Sequence, residues 1–429
     1  MAHPVFYDPR RARWKRLRTL LDVTGVVLSA VIVVFIYTAV RSEPLPKLLL
    51  QFQKRPYHAL KESERQKARE KRAESLRRYS RRRSKQPASQ VPLNTDEGVR
   101  GAFYVPSDAA SFSSLRDYAR QIDLLYPEWL HVLTPDGRLQ GIDEQTNTMF
   151  DVVHSGAVHS VDEKVMKFLK SEDTGTEVFP LVNNSGNSDW IDITVFLNSP
   201  AAHARFRQDV ATFLASDKYR GLMVDFEDVR PQAFAGLTTL LNELSQDLHS
   251  KGMKLYASVP ANDPGFPYRA ASDAADGVVL MNYDEHFGGT GVVAGPIASQ
   301  DWFTKNLAQA TKVIPLDKLI CGIANYGYDW AQDPKKKQLS NGKNVSVQEA
   351  WLAARDSEED VDFDGDSLNP HVSFLDESNL RHEIWLLDGV TALNQMRAAR
   401  QLGIRTFALW RLGSEDRSLW KIWDDPLDI

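Results

Sequence analysis

Two carboxylates two residues apart close an apolar run in the segment YRGLMVDFEDV: Asp225 and Glu227. In an extended strand alternate side chains share a face, which groups Met223, Asp225 and Glu227. Like charges held that close raise one pKa, and this keeps a carboxylic acid protonated near neutral pH. Such a pair can act as a general acid with an ionised neighbour. Met223 is expected beneath the pair as an apolar floor, where desolvation favours the neutral form of Asp225 or a single proton shared with Glu227. Taken alone, Asp-x-Glu is weak evidence, since most such pairs are solvated surface. Two further segments carry the same kind of signal. VVLMNYDEHFGG places Met281, Tyr283 and Asp284 at the exit of an apolar run, and its Gly-Gly permits close backbone approach to a ligand. The bland alternative is a strand end followed by a turn. FALWRLGSEDRSLW ends a third apolar run on Trp410, whose ring suits stacking on a flat ligand or, in isolation, core packing.

These side chains need a frame that gathers strand ends at one place. From Gly101 onward, short apolar runs alternate with helix-like stretches. The expected strands are Ala102–Pro106, Leu130–Thr134, Glu177–Val182, Gly221–Phe226, Lys254–Val259, Gly277–Tyr283, Lys318–Ala324 and Arg405–Trp410. Segments such as AAHARFRQDVATFLAS and PQAFAGLTTLLNELSQDLHSKG separate them with helical periodicity. Eight such units predict an α/β fold, a closed parallel (β/α)8 TIM barrel. The long stretch 325–403 between the seventh and eighth strands is expected to hold an inserted subdomain. In such barrels function collects at the C-terminal strand ends, where all three segments fall.

Together the three segments resemble glycoside hydrolase family 18, the chitinase-like family. Its fourth-strand signature is D-x-x-D-x-D-x-E, its sixth-strand signature M-x-Y-D, and its last strand ends in Trp. Asp225 and Glu227 match the last two positions of the first signature; Met281, Tyr283 and Asp284 match the second; Trp410 matches the third. ANYGYDW, which contains Tyr326, and HEIWLLDGVTALNQM are similar to the branch that includes spore cortex-lytic enzymes. The resemblance spans about residues 101–425. It departs from the family at Arg220 and Met223, which stand where the first two signature aspartates belong, and at LVNNSGNSDW in place of S-x-G-G on the third strand. The resemblance implies hydrolysis of an N-acetylated polysaccharide with the substrate's own acetamide as nucleophile. Glu227 would protonate the glycosidic oxygen, Asp225 would orient the acetamide, and Tyr283 would hydrogen-bond its carbonyl. Trp410 would floor the subsite, with Asp284, Tyr104, Met281 and Tyr326 lining it. It implies neither a metal nor an organic cofactor. A lectin-like barrel that binds sugar without cutting it, or one that guides a polymer for a synthase or deacetylase, is the rival reading; such members typically lack the glutamate.

The charge distribution splits the chain. Residues 1–100 hold 23 Lys+Arg and 9 Asp+Glu, whereas 101–429 hold 29 and 48. An acidic barrel argues against nucleic acid, which requires a basic surface. The single cysteine, Cys321, excludes an intrachain disulfide and any cysteine-based metal site. DVDFDGD at 360–366 opens like a calcium loop, but its twelfth position is His371 rather than a bidentate Glu, so a solvated acidic loop is expected. Val23–Val40 is an uncharged run of 18 residues, and with Leu20 and Leu21 it reads as a membrane helix over 20–40. A cleaved signal peptide is the alternative, though IYTAV is a poor cleavage site. Six basic residues precede the run, so the positive-inside rule puts 1–19 in the cytoplasm and the barrel, 99–429, outside the bacterial inner membrane. Twelve more Lys/Arg in 61–85 weaken that orientation signal. Residues 41–98 read as a charged stalk and linker. The order of basic terminus, span and barrel also resembles the front of bacterial proteins that carry polysaccharide deacetylase and family 2 glycosyltransferase modules.

Overall fold

A computed structural model describes residues 12–41, 98–142, 148–155, 161–186, 189–215, 218–289, 293–332 and 340–424. The chain divides into two compact units, Met1–Ala73 and Glu74–Ile429. In the first, a helix covers Ala12–Arg41. Within it Trp14–Val34 has a mean hydropathy of 2.0, with no residue of the apolar stretch buried against protein. By length and composition this helix is able to cross a membrane. The expected stalk and linker at 41–98 fall almost wholly outside the described residues.

The second unit is a closed parallel barrel. Its strands are β1 (Val99–Tyr104), β2 (Leu124–His131), β3 (Leu181–Asn183), β4 (Gly221–Asp225), β5 (Lys254–Pro260), β6 (Gly277–Met281), β7 (Leu319–Ala324) and β8 (Thr406–Trp410). Each pairs with its neighbours in chain order, and β8 pairs with β1 to close the ring. Buried on both faces, these strands read as continuous apolar runs rather than as alternation. Two shells result. Val99, Phe103, Leu124, Tyr126, Leu181, Met223, Tyr256, Val279, Ile320 and Ala408 fill the barrel interior. Their alternate neighbours face the helices. Gly277 has to be glycine for this packing: a Cβ there would lie 2.3 Å from the Tyr256 ring.

The outer helices carry the periodicity that their sequence shows. Phe234–His249 buries Leu237, Leu240, Leu241, Leu244 and Leu248, one stripe at helical spacing. Pro200–Phe213 starts on Ser199, whose side chain accepts from the Ala202 N–H, with proline in the first turn. Asp388 caps Gly389–Gln401 by accepting from the Val390 and Thr391 N–H groups.

The insertion after β7 is a five-stranded antiparallel sheet, ordered Lys343–Val345, Gly327–Gln332, Arg381–Leu386, Pro370–Leu375 and Asp362–Phe363. Helix Val347–Asp356 packs on it through Val347, Ala350 and Ala354. It ends earlier than the expected 325–403, because Gly389–Gln401 returns to the barrel shell through Ala392, Met396 and Ala399. The acidic stretch at 360–366 is a hairpin turn: Asp364 accepts the Ser367 N–H at 2.7 Å and its hydroxyl at 2.6 Å.

The second strand starts six residues earlier than the sequence suggests and ends at His131 rather than Thr134. Pro127 sits inside it, and an internal proline argues against a strand because it removes a ladder hydrogen bond. The chain absorbs it with a β-bulge, where the register to β3 shifts between Glu128 and Leu130. The third strand is likewise broken. Glu177–Val178 pairs with β2, Pro180 interrupts, and β3 resumes at Leu181.

Candidate active site

The C-terminal mouth of the barrel gathers acids from several strand ends. On β4 the alternation holds. Met223 faces the interior, Leu222, Val224 and Phe226 face the helices, and Asp225 is 2 % exposed on the interior face. Glu227 lies two residues past the end of that face. Its backbone is clamped by one side chain: the Glu227 N–H donates to Asn184 Oδ1 at 2.9 Å, and Asn184 Nδ2 donates to the Glu227 carbonyl at 2.9 Å. Asp228 then turns the chain at φ +51°. On β6 the same alternation puts Met281 and Tyr283 on the barrel side, with Asn282 bonded outward to the Phe303 carbonyl. Asp284 adopts φ +64°, a left-handed turn at the strand end. Gly322 on β7 makes room for Tyr283, since a Cβ there would lie 3.1 Å from its ring.

Electrostatics follow from this crowding. Burial pushes Asp225 up to about 7, opposed by the Ser258 hydroxyl and reinforced by the charge of Glu128. Burial also raises Glu227 well above the usual carboxylate range, and Asp225, Asp284, Glu128 and Asp228 add to the rise. Asp284 is pushed up to about 6 by burial, against hydrogen bonds from Tyr326 and Tyr328. Burial and the same acids raise Tyr283, so its phenol stays a donor. The crowding therefore favours the protonated forms of these carboxyls, the condition for general acid chemistry.

The structure brings Asp225, Glu227, Tyr283 and Asp284 together, and each of the latter three raises or is raised by its neighbours. Trp410 ends β8, half-buried and edge-on to Phe103 with ring centroids 5.2 Å apart. Met281 is half-buried on the barrel side of β6. Tyr326 is buried, and its hydroxyl donates to Asp284. Tyr104 is not at the mouth. Alternation on β1 turns Phe103 inward and Tyr104 outward, where it is fully buried among helix-facing residues.

Four residues escaped the sequence reading. Glu128 and His131 lie on β2, and Glu128 precedes the expected strand Leu130–Thr134. Asn183 and Asn184 stand in the segment that departs from the family's S-x-G-G. Asn183 Nδ2 donates to Glu128 at 2.7 Å, and its Oδ1 lies 2.7 Å from His131 Nδ1. The acid in YPEW and the paired asparagines in LVNN were the available signals.

Comparisons place this geometry. A profile described as Glycosyl hydrolases family 18 matches residues 128–415. The chain is 30% identical over 234 residues to the uncharacterized glycosylase YvbX of Bacillus subtilis, covering 52% of this chain and 66% of that protein. It is 24% identical over 271 residues to the cortical fragment-lytic enzyme of Bacillus subtilis, covering 60% and 62%. The chain thus spans less than two thirds of the length of these curated relatives. Its fold is shared with a chitinase from Chromobacterium violaceum at a TM-score of 0.64 and 23% identity, over 77% of this chain and 99% of that one. The Bacillus cereus spore cortex-lytic enzyme SleL gives 0.63 and 21%, over 76% and 73%. With the family profile covering most of the chain and the acids at the expected strand ends, the chain belongs to family 18 of the glycosyl hydrolases.

Proposed function

We propose that this chain hydrolyses β-linked N-acetylhexosamine polysaccharide by a substrate-assisted, retaining mechanism, with Glu227 as the general acid. The observation that carries the reading is the acid group of buried Asp225 and half-buried Glu227 and Asp284 with Tyr283, where desolvation first and the neighbouring charges second favour a protonated Glu227. Protonated Glu227 delivers its proton to the glycosidic oxygen. The acetamide carbonyl of the bound sugar attacks the anomeric carbon, and the leaving sugar departs. Asp225 orients the acetamide N–H and offsets the developing positive charge; the Tyr283 hydroxyl donates to the acetamide oxygen. Glu227, now ionised, takes a proton from the water that opens the cyclic intermediate. The similarity to proteins named chitinase and cortical fragment-lytic enzyme supports an N-acetylated glycan as substrate. Incubation of the full chain with chitin, peptidoglycan glycan and poly-N-acetylglucosamine should release new reducing ends from at least one. No release from any of them would favour a barrel that binds sugar without cutting it.

We further infer that the Trp14–Val34 helix anchors the chain in the bacterial inner membrane, with the barrel in the periplasm or outside the cell. The six basic residues ahead of the apolar run support this orientation. Protease added to spheroplasts should degrade the barrel. A barrel that survives until the membrane is lysed would reverse the orientation.

A further inference from the structure

The bulge in β2 has a chemical result. Without it, side chains would alternate, and Glu128 and His131 would face opposite sides. Instead Trp129 and Leu130 both turn to the helix-side core, so Glu128 and His131 face the mouth together. Both meet Asn183, which lies beside Asp225 in register on the adjoining strands. The Asn183 amide donates to Glu128 Oε1 at 2.7 Å. Its carbonyl accepts the Ser185 N–H at 3.1 Å, which fixes the amide's orientation and makes His131 Nδ1 the donor to it. Burial holds His131 neutral, pushing it down to about 4. Glu128 is thus locked at the barrel mouth, one strand over from β3, which pairs with the strand that carries Asp225.

We propose that Glu128 is a positioning residue for the acid pair, a negative group supplied by β2 that acts through Asp225 and Glu227 and sets the pH range in which Glu227 carries its proton. Met223, where the signature places an acid, leaves that task open on β4 itself. Glu128 takes it from a neighbouring strand, and its charge contributes to the rise of both partners. The groups facing the pair are Glu128 with neutral His131 on β2, Asp228 after β4, Tyr283 and Asp284 after β6, and Tyr326 and Tyr328 after β7. Burial raises Glu128 itself, against the Asn183 hydrogen bond and the charge of Arg411, which after β8 is ion-paired to Asp108. This proposal rests on Glu227 as the general acid.

Glu128→Gln keeps the shape and the acceptor for Asn183 while removing the charge. With one like charge fewer, Asp225 and Glu227 ionise more easily. Both limbs of the pH profile of kcat/KM should move to lower pH, by on the order of one unit, with KM little changed. Glu128→Met, which removes the charge by another route, should move the profile the same way. A loss of activity without a moved profile in both variants would make Glu128 merely structural and overturn the proposal. A second readout needs no turnover: the infrared band of protonated carboxyls, titrated in the full chain in detergent, should shift to lower pH in both variants. Should the wild type cut no N-acetylated polymer, the functional reading fails, and this titration alone decides on Glu128. An unmoved band would overturn it; a moved band would uphold its coupling to the pair.

Discussion

Glu227→Gln is expected to lower kcat on an N-acetylated oligomer by about 10²–10⁴-fold, with binding of the same oligomer largely kept. Glutamine has the shape of the protonated acid and can still bond to the glycosidic oxygen, but it transfers no proton. The leaving sugar then departs as an alkoxide, which is the costly event that the acid normally removes. Binding persists because the walls of the site are other residues: Tyr283 and Trp410 from β6 and β8, and Asp284 held by Tyr326. The clamp on this position is through backbone groups, the N–H and carbonyl of residue 227 against Asn184. It therefore survives any change of the side chain, and the variant should fold as the wild type does. The measurement is steady-state kinetics beside equilibrium binding of the same oligomer. Full activity in the variant would remove Glu227 from the mechanism.

The parts of the site that the sequence makes legible are those that follow from period two on an apolar strand. Met223, Asp225 and Glu227 share a side because strands alternate, and the same rule places Met281 with Tyr283. What stays hidden is set by departures from that rule. Pro127 disguises β2, so Glu128 falls outside the expected strand, and the bulge that follows brings His131 to a face alternation would deny it. Tyr104 errs in the opposite sense: its type suits a sugar contact, but its parity turns it to the helices. Asn184 could not be assigned from sequence, because its partner is the backbone of a residue 43 positions away, and any residue has a backbone. The barrel itself was readable because each of eight buried parallel strands is a separate apolar run, and a displaced second strand leaves the count unchanged.

Whether the substrate supplies its own nucleophile is the central claim. The described mouth offers Asp225 as the acid on the interior face of β4 beside Glu227, and burial pushes it up to about 7. The protonated form of such a carboxyl is a poor nucleophile, whereas its ionised form accepts an amide N–H and offsets positive charge that develops beside it. A conventional retaining enzyme would use such a second carboxylate to form a glycosyl-enzyme bond and would not depend on the acetyl group. The most direct measurement is therefore the rate of cleavage of matched oligomers, fully N-acetylated and fully de-N-acetylated, by the same preparation of the full chain. Cleavage of the acetylated oligomer and resistance of the de-N-acetylated one are the expected results. Equal cleavage of the two would contradict it and return the role of nucleophile to the protein.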